Sequence, residues 1–212
     1  MNPSPLKISD SKEHLQRLLA DWTAREWLRP LDSVFAEFLW REVPDAPPLL
    51  ILAAALASHQ LGRGHAALDL AATLKDPALA LSLPPEGMSP TEATETPAQL
   101  PGEALAGISL PQWQAALTHP TLVGTGAGDT PLVLVGARLY LRRYWQYEQD
   151  VHHGIHRRLE TAANLESALP IEEMRQTLDA LFPRIPVPPP GQTTDWQKIA
   201  CALAARSPFS II

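Results

Sequence analysis

Residues 49–59 read Leu-Leu-Ile-Leu-Ala-Ala-Ala-Leu-Ala-Ser-His, and this stretch decides the fold class because it is apolar on almost every side of a helix. A segment of this kind has to be covered all round, so it predicts a helix at the centre of a bundle. Pro47 and Pro48 precede it, and Gly62 and Gly64 mark its expected end. The apolar run is far too short to cross a bilayer.

Two amphipathic helices are predicted before this central segment. In the first, Ser11 is the expected N-cap, and one face carries Leu15, Leu18, Leu19 and Trp22. The second follows Arg29-Pro30, with Asp32 as its expected N-cap. We expect its core-facing stripe to comprise Leu31, Val34, Phe35, Phe38 and Leu39. Residues 1–10 are predicted to be a loose tail, and further short helices are predicted over 66–74 and 111–117.

The clearest β pattern lies over residues 131–144. Leu132 to Val135 and Arg138 to Leu141 are separated by Gly136-Ala137, which predicts a two-stranded hairpin. A long helix is expected directly after it, from Arg142 to about residue 163, followed by another over 171–182. A last helix is predicted after Thr194 and Asp195, with a short buried strand beginning at Phe209.

Composition divides the rest of the chain. Residues 84–110 are rich in Pro, Thr, Glu, Gly and Ala with little periodicity, which predicts a surface insertion or mobile loop. The prolines after residue 183 predict a stiff linker. We therefore expect a helical domain over 1–185, a linker over 186–194, and the opening of an α/β domain over 195–212.

The overall balance of residues limits the possible functions. Of 212 residues, 45% are hydrophobic and only 19% are charged, which favours a surface that a partner covers in part. The formal net charge of -6 argues against an autonomous nucleic-acid-binding domain, although that alternative stays open. One cysteine, Cys201, excludes an internal disulfide and is predicted to be buried. With no signal-type segment, a cytoplasmic location and no membrane partner are expected.

Three segments carry a family resemblance. They are residues 131–145 followed by Glu148, residues 177–183 (TLDALFP), and residues 195–212 (DWQKIACALAARSPFSII). Weaker matches lie at 29–32 (RPLD) and at 54–59 (AALASH) with Gly64-His65. In this order and at these distances the segments resemble the N-terminal region of the RecD family, the helicase subunits of RecBCD-type exonucleases.

The resemblance implies a mainly α fold: a small helical bundle with one β-hairpin, then the first helix and strand of a truncated RecA-like α/β domain. It implies a 5'-to-3' DNA helicase subunit that works with RecB and RecC homologues on double-strand breaks. The N-terminal domain would dock on RecC and meet DNA only through the complex. ATP and Mg would belong to the motor domains, so no cofactor and no activity are expected for this chain by itself.

Gln197 is the best single candidate for a binding residue. Its place matches the glutamine that reads adenine upstream of the ATP loop in the resembled family, and an amide can both donate to and accept from adenine. The site would be incomplete, because the phosphate-binding pattern G-x-x-x-x-G-K-[ST] is missing from the 212 residues. Gly124-Thr-Gly-Ala-Gly128 lacks the following lysine and is interpreted as a turn.

The hairpin and the helix after it bring arginine and aromatic side chains together. The candidates for contact with a partner or with DNA are Arg138, Arg142, Arg143, Tyr144 and Trp145. Glu148 and Asp150 dilute the positive charge. The alternative is an amphipathic helix whose aromatic side chains belong partly to the core.

Histidines form two groups. His152, His153 and His156 recur at the i, i+3 and i, i+4 spacing of metal sites, but no carboxylate or thiol joins them in a recognised pattern. We interpret them as an exposed cluster, with a small metal-dependent nuclease as the alternative. His59 and His65 flank the glycine turn after the central helix, and both are expected to be hydrogen-bonded structural residues.

Overall fold

The computed structural model describes residues 11–87, 98–160, 169–183 and 194–211. The chain divides into two compact units, Met1–Gln146 and Tyr147–Ile212. The division falls inside a helix. The predicted linker over 186–194 lies outside the described residues except for Thr194, so its role as a domain boundary stays a prediction.

The first unit is a helical bundle with a small sheet, as the sequence predicts. Its elements, with the long helix that leaves it, are α1 (Lys12–Ala24), α2 (Pro30–Glu42), α3 (Pro48–Gly62), β1 (Leu68–Asp69), α4 (Leu70–Lys75), α5 (Pro77–Leu81), α6 (Pro101–Ala104), α7 (Leu110–Ala116), β2 (Val123–Gly124), β3 (Leu132–Val135), β4 (Arg138–Leu141) and α8 (Arg142–Glu160).

Helix α3 is the centre of the bundle. Every residue from Leu49 to Gln60 is buried, which confirms the prediction from its all-round apolar pattern. Helix α1 is also confirmed: the Ser11 side chain accepts from the backbone N–H of His14 at 3.2 Å. Its predicted apolar face is buried.

Helix α2 has its limits close to those predicted, but it turns a different face inward. The predicted stripe is wrong at Leu31, Val34 and Phe38, which are exposed. The buried face instead comprises Asp32, Ser33, Ala36, Leu39 and Trp40. Asp32 is not the N-cap, because the helix begins at Pro30 and Asp32 stands at its third position.

The predicted hairpin is confirmed, and it belongs to a four-stranded sheet of order β1-β4-β3-β2. Strands β3 and β4 pair antiparallel, with Val133 opposite Tyr140. Gly136 adopts a φ of 60° in the turn, a left-handed conformation that glycine reaches without steric cost. Strand β1 replaces the first part of the helix predicted over 66–74, because residues 68–69 pair with β4.

The described C-terminal part of the predicted insertion over 84–110 packs one side against the bundle. Ala98, Pro101, Ala104 and Leu105 are buried, and the carbonyl of Gln99 accepts from Trp22 Nε1 at 2.8 Å. The proline-rich composition suggested a loop, but these residues cover the bundle and include the short helix α6. Residues 88–97 lie outside the described residues.

The second unit comprises the end of α8, α9 (Ile171–Leu181) and α10 (Trp196–Arg206). Asp195 caps α10 by accepting from the Lys198 backbone N–H at 3.0 Å, as predicted. Among the described residues of these three helices none is buried. Cys201 is therefore exposed, contrary to the prediction.

The strand predicted from Phe209 is not formed: residues 207–211 have no regular structure, and Ile211 is exposed. A strand needs a hydrogen-bonded neighbour, and the described part of this unit contains no other strand. In the part of the chain that the structure describes, no helix combines the length and the apolarity needed to cross a bilayer.

Candidate partner-docking surface

A buried polar cluster fixes the N-terminus of α2 against α3. Asp32 is fully buried and accepts from the backbone N–H of Arg29 at 3.0 Å and from Arg29 Nη2 at 2.6 Å. The Ser58 hydroxyl donates to the same carboxylate at 2.7 Å. Arg29 Nη2 also donates to the Ser58 carbonyl at 2.7 Å. These contacts satisfy the buried carboxylate and set the rotation of α2.

His59 extends this cluster. Its Nε2 lies 2.9 Å from the Leu81 carbonyl, and because a carbonyl only accepts, Nε2 carries the proton. Nδ1 lies 4.0 Å from Asp32 Oδ2. Burial lowers the pKa of His59, opposed by the Leu81 hydrogen bond and the Asp32 charge. The predicted structural role of His59 is confirmed, whereas the side chain of His65 is exposed.

With Asp32 held inward, α2 presents an apolar outer stripe, which comprises Leu31, Val34 and Phe38. Their exposed fractions are 63%, 59% and 46%. They are three and four residues apart, so they form one continuous row along the helix. A row of large apolar side chains in water is a feature of interaction sites when it is contiguous.

A groove of about 470 Å³ runs beside this stripe, between α1 and α2. The residues that line this α1–α2 groove are Lys12, Gln16, Val34, Glu37, Phe38, Trp40 and Arg41. The Lys12 ammonium lies 4.7 Å from the centre of the Trp40 ring, and the Arg41 guanidinium lies 5.3 Å from that of Phe38. Aromatic rings therefore hold two cations at the groove.

Arg142, one of the predicted contact residues, has a structural role. Its Nε donates to the Thr130 carbonyl at 2.8 Å, and its Nη1 donates to the Gly126 carbonyl. The loop between β2 and β3 is thereby tied to the start of α8. Gly124 lies directly under this contact, since a Cβ there would be 2.9 Å from Arg142 Nη2. The glycine-rich segment is a braced turn, as interpreted from the sequence.

The other predicted contact residues lie on the same hairpin and helix. Arg138 and Arg143 are exposed, and Tyr144 and Trp145 are half-buried. The Arg142 guanidinium stands 5.4 Å from the centre of the Trp145 ring. This placement is compatible with both interpretations given above, and a contact with a partner or with DNA stays a prediction for these residues.

The predicted residues of the second unit are exposed as well. Gln197 is exposed in the first turn of α10, and its role toward adenine stays a prediction. The rings of His152 and His156 are 4.3 Å apart, and all three histidines of the cluster are exposed. Among the described residues, no group of three or more His, Cys, Asp or Glu side chains could hold a metal ion.

The outer stripe was missed because apolar residues occur on both faces of α2. One signal was available: the expected core face left out Trp40, the largest apolar residue of the helix. A helix that buries Ala36 and Trp40 on one face has to turn Val34 and Phe38 away from the core, toward solvent. The buried position of Ser33 had no such signal, since its partner Thr23 lies on α1. Asp32 combines a local partner, Arg29, with Ser58, which lies 26 residues further on.

The family model for the N-terminal domain of the RecBCD enzyme subunit RecD matches residues 24–140, which is more than half of the chain. The chain belongs to the RecD N-terminal domain family. The matched range includes the outer stripe of this RecD domain, most of the hairpin and residues 84–110. It does not extend to 177–183 or 195–212, two segments that carried the resemblance.

A curated relative, the RecBCD enzyme subunit RecD of Haemophilus influenzae, is 32% identical over 112 residues. The match covers 52% of this RecD-family chain and 16% of the relative's length. The chain therefore corresponds to a small part of that subunit.

Proposed function

We propose that this chain is the partner-docking domain of a RecD-like 5'-to-3' DNA helicase subunit of an exodeoxyribonuclease V-type complex. The complex would act on double-strand breaks in repair and homologous recombination, in the cytoplasm. Family membership supports the RecD-like context. The observation that carries the docking role is the outer stripe, where three large apolar side chains of α2 stand about half exposed.

The proposed partners are homologues of RecC and RecB, with RecC as the direct contact. DNA would be met through the assembled complex, because a net charge of -6 disfavours autonomous binding to phosphates. The 212 residues contain no G-x-x-x-x-G-K-[ST] pattern, so we do not expect the chain by itself to hydrolyse ATP. Gln197 would contribute to adenine binding only beside such a loop.

The docking role can be tested with purified proteins. The full chain and the RecC homologue of the same organism are mixed at micromolar concentration and separated by size-exclusion chromatography. Co-elution as a stable complex is expected. If the two proteins elute separately at this concentration, the docking role is refuted.

A further inference from the structure

Helix α8 carries two histidines on one face, one helical turn apart. His152 and His156 are separated by four residues, so their side chains are neighbours on the helix surface. The centres of the two rings lie 4.3 Å apart, and the ring planes are inclined by 51°. Both side chains are exposed. The two imidazoles therefore stand together in contact with solvent.

The distance between the two rings suits a shared metal ion. Bonds from imidazole nitrogen to zinc are about 2.0–2.1 Å long, so two donor nitrogens on one ion lie roughly 3 Å apart. The χ2 torsion of histidine has a broad distribution, so small rotations can turn a nitrogen of each ring toward one ion. Among the described residues no group of three His, Cys, Asp or Glu side chains could hold an ion. The pair can therefore supply two ligands, with water in the other coordination positions.

The charged residues in the same row as the pair are negative. At about 100° per residue, Glu148 and Glu160 lie within about 60° of the pair around the helix, one turn before it and one turn after it. Arg157 and Arg158 lie more than about 100° away, and so does Asp150. Arg158 donates to a backbone carbonyl of its own helix at 3.0 Å. The carboxylates nearest the pair therefore favour a bound cation.

We propose that His152 and His156 bind one divalent late transition-metal ion, of the class of Ni²⁺, Cu²⁺ and Zn²⁺, through one ring nitrogen each. Imidazole suits these ions, whereas Mg²⁺ and Ca²⁺ take oxygen ligands. The bound ion links two successive turns of α8 and stabilises this part of the helix. The site is independent of the proposed function, since it uses no residue of the outer stripe.

Calorimetric titration of the full chain with Ni²⁺ in a non-chelating buffer tests the pair. His152→Ala and His156→Ala should each raise the dissociation constant about tenfold or more, because one of the two ligands is lost. The matched control is His153→Ala, at an exposed neighbour outside the row, which should change the dissociation constant less than about twofold. Cys201→Ser removes the exposed thiol and should also leave the dissociation constant unchanged.

Hydrogen exchange measured by mass spectrometry gives a second readout. Saturating Ni²⁺ should slow exchange of the amides of residues 150–158 in the unsubstituted chain and in His153→Ala, but not in His156→Ala. A dissociation constant above about 1 mM for the unsubstituted chain would overturn the inference. So would a loss of affinity in His153→Ala equal to that in His156→Ala, or exchange that does not respond to Ni²⁺. The proposed function stands in each of these cases.

Discussion

Replacing Asp32 by alanine should cost about 3 kcal/mol of unfolding free energy. The carboxylate is fully buried and accepts from Arg29 and Ser58. Removing one partner of a buried ion pair costs about 3–5 kcal/mol. The lower end applies here because the Arg29 side chain is 46% exposed and can turn to water. The buried Ser58 hydroxyl has no such escape and loses its acceptor.

Urea unfolding followed by tryptophan fluorescence measures this loss, because Trp22, Trp27, Trp40 and Trp113 are buried in the first unit. With a slope of about 1–3 kcal/mol per molar urea, the midpoint should fall by about 1–3 M. Asp45→Ala, at an exposed carboxylate, is the control and should stay within about 0.5 kcal/mol of the unsubstituted chain. A loss below about 1 kcal/mol for Asp32→Ala would refute the argument that this cluster holds α2 in place.

Three further predictions concern the same unit. Burial lowers the pKa of His59, so as pH falls the imidazole is protonated in the unfolded chain before it is protonated in the folded chain. The stability that neutral His59 contributes is therefore complete above about pH 6.5 and is lost as pH falls further. Between about pH 7.5 and about pH 5, the free energy of unfolding measured by urea titration should therefore fall less for His59→Gln than for the unsubstituted chain. Arg142→Met should lower the free energy of unfolding by about 1–3 kcal/mol, since the carbonyls of Thr130 and Gly126 lose their donor. Hydrogen exchange measured by mass spectrometry should show faster exchange of the amides of residues 124–130. Gly62→Ala should lower the free energy of unfolding by about 1–2 kcal/mol in the urea assay, because the added Cβ would lie 2.2 Å from Arg29 Cζ and displace the guanidinium from Asp32. The control is Gly102→Ala, which has open space around the added Cβ and should leave the free energy of unfolding unchanged.

Local sequence is enough for the parts of this fold that depend on local chemistry. The all-round apolar segment from Leu49 predicts a covered helix, and Gly136-Ala137 between two apolar runs predicts a tight turn; the structure contains both. Ser11 and Asp195 cap their helices as expected, because capping involves a backbone group three residues away. In these features the interacting groups are only a few residues apart in the sequence.

The failures involve partners distant in sequence. Apolar residues occur on both faces of α2, and the inward face is chosen by the contacts of Asp32 with Ser58, 26 residues further on. The packing of residues 98–105 depends on Trp22, 77 residues away from the carbonyl that it contacts. The missing strand at Phe209 has the same cause, since an apolar run forms a strand only beside another strand.

The candidate surface was accessible from the sequence only in part. The arginine and aromatic pattern of the sequence indicated Arg142 and its neighbours, but in the structure the Arg142 guanidinium is bonded to the β2–β3 loop. The outer stripe contains residues that the sequence assigned to the core. Core residues and outer-stripe residues of α2 are both apolar and differ only in exposure, which is a property of the folded chain.

The most direct measurement of the docking claim is the affinity of the RecC homologue for the chain with Leu31, Val34 and Phe38 all replaced by alanine. These side chains are about half exposed. Covering them is worth about 2–4 kcal/mol at roughly 1.5–3 kcal/mol per fully buried side chain. At about 1.4 kcal/mol per tenfold change, the dissociation constant should rise about 30- to 700-fold. Alanine favours helix, so the fold should persist.

Leu79→Ala, at a leucine of α5 that is 77% exposed, is the matched control and should bind as the unsubstituted chain does. A triple variant that binds as tightly as this control would contradict the account of α2 as the docking helix.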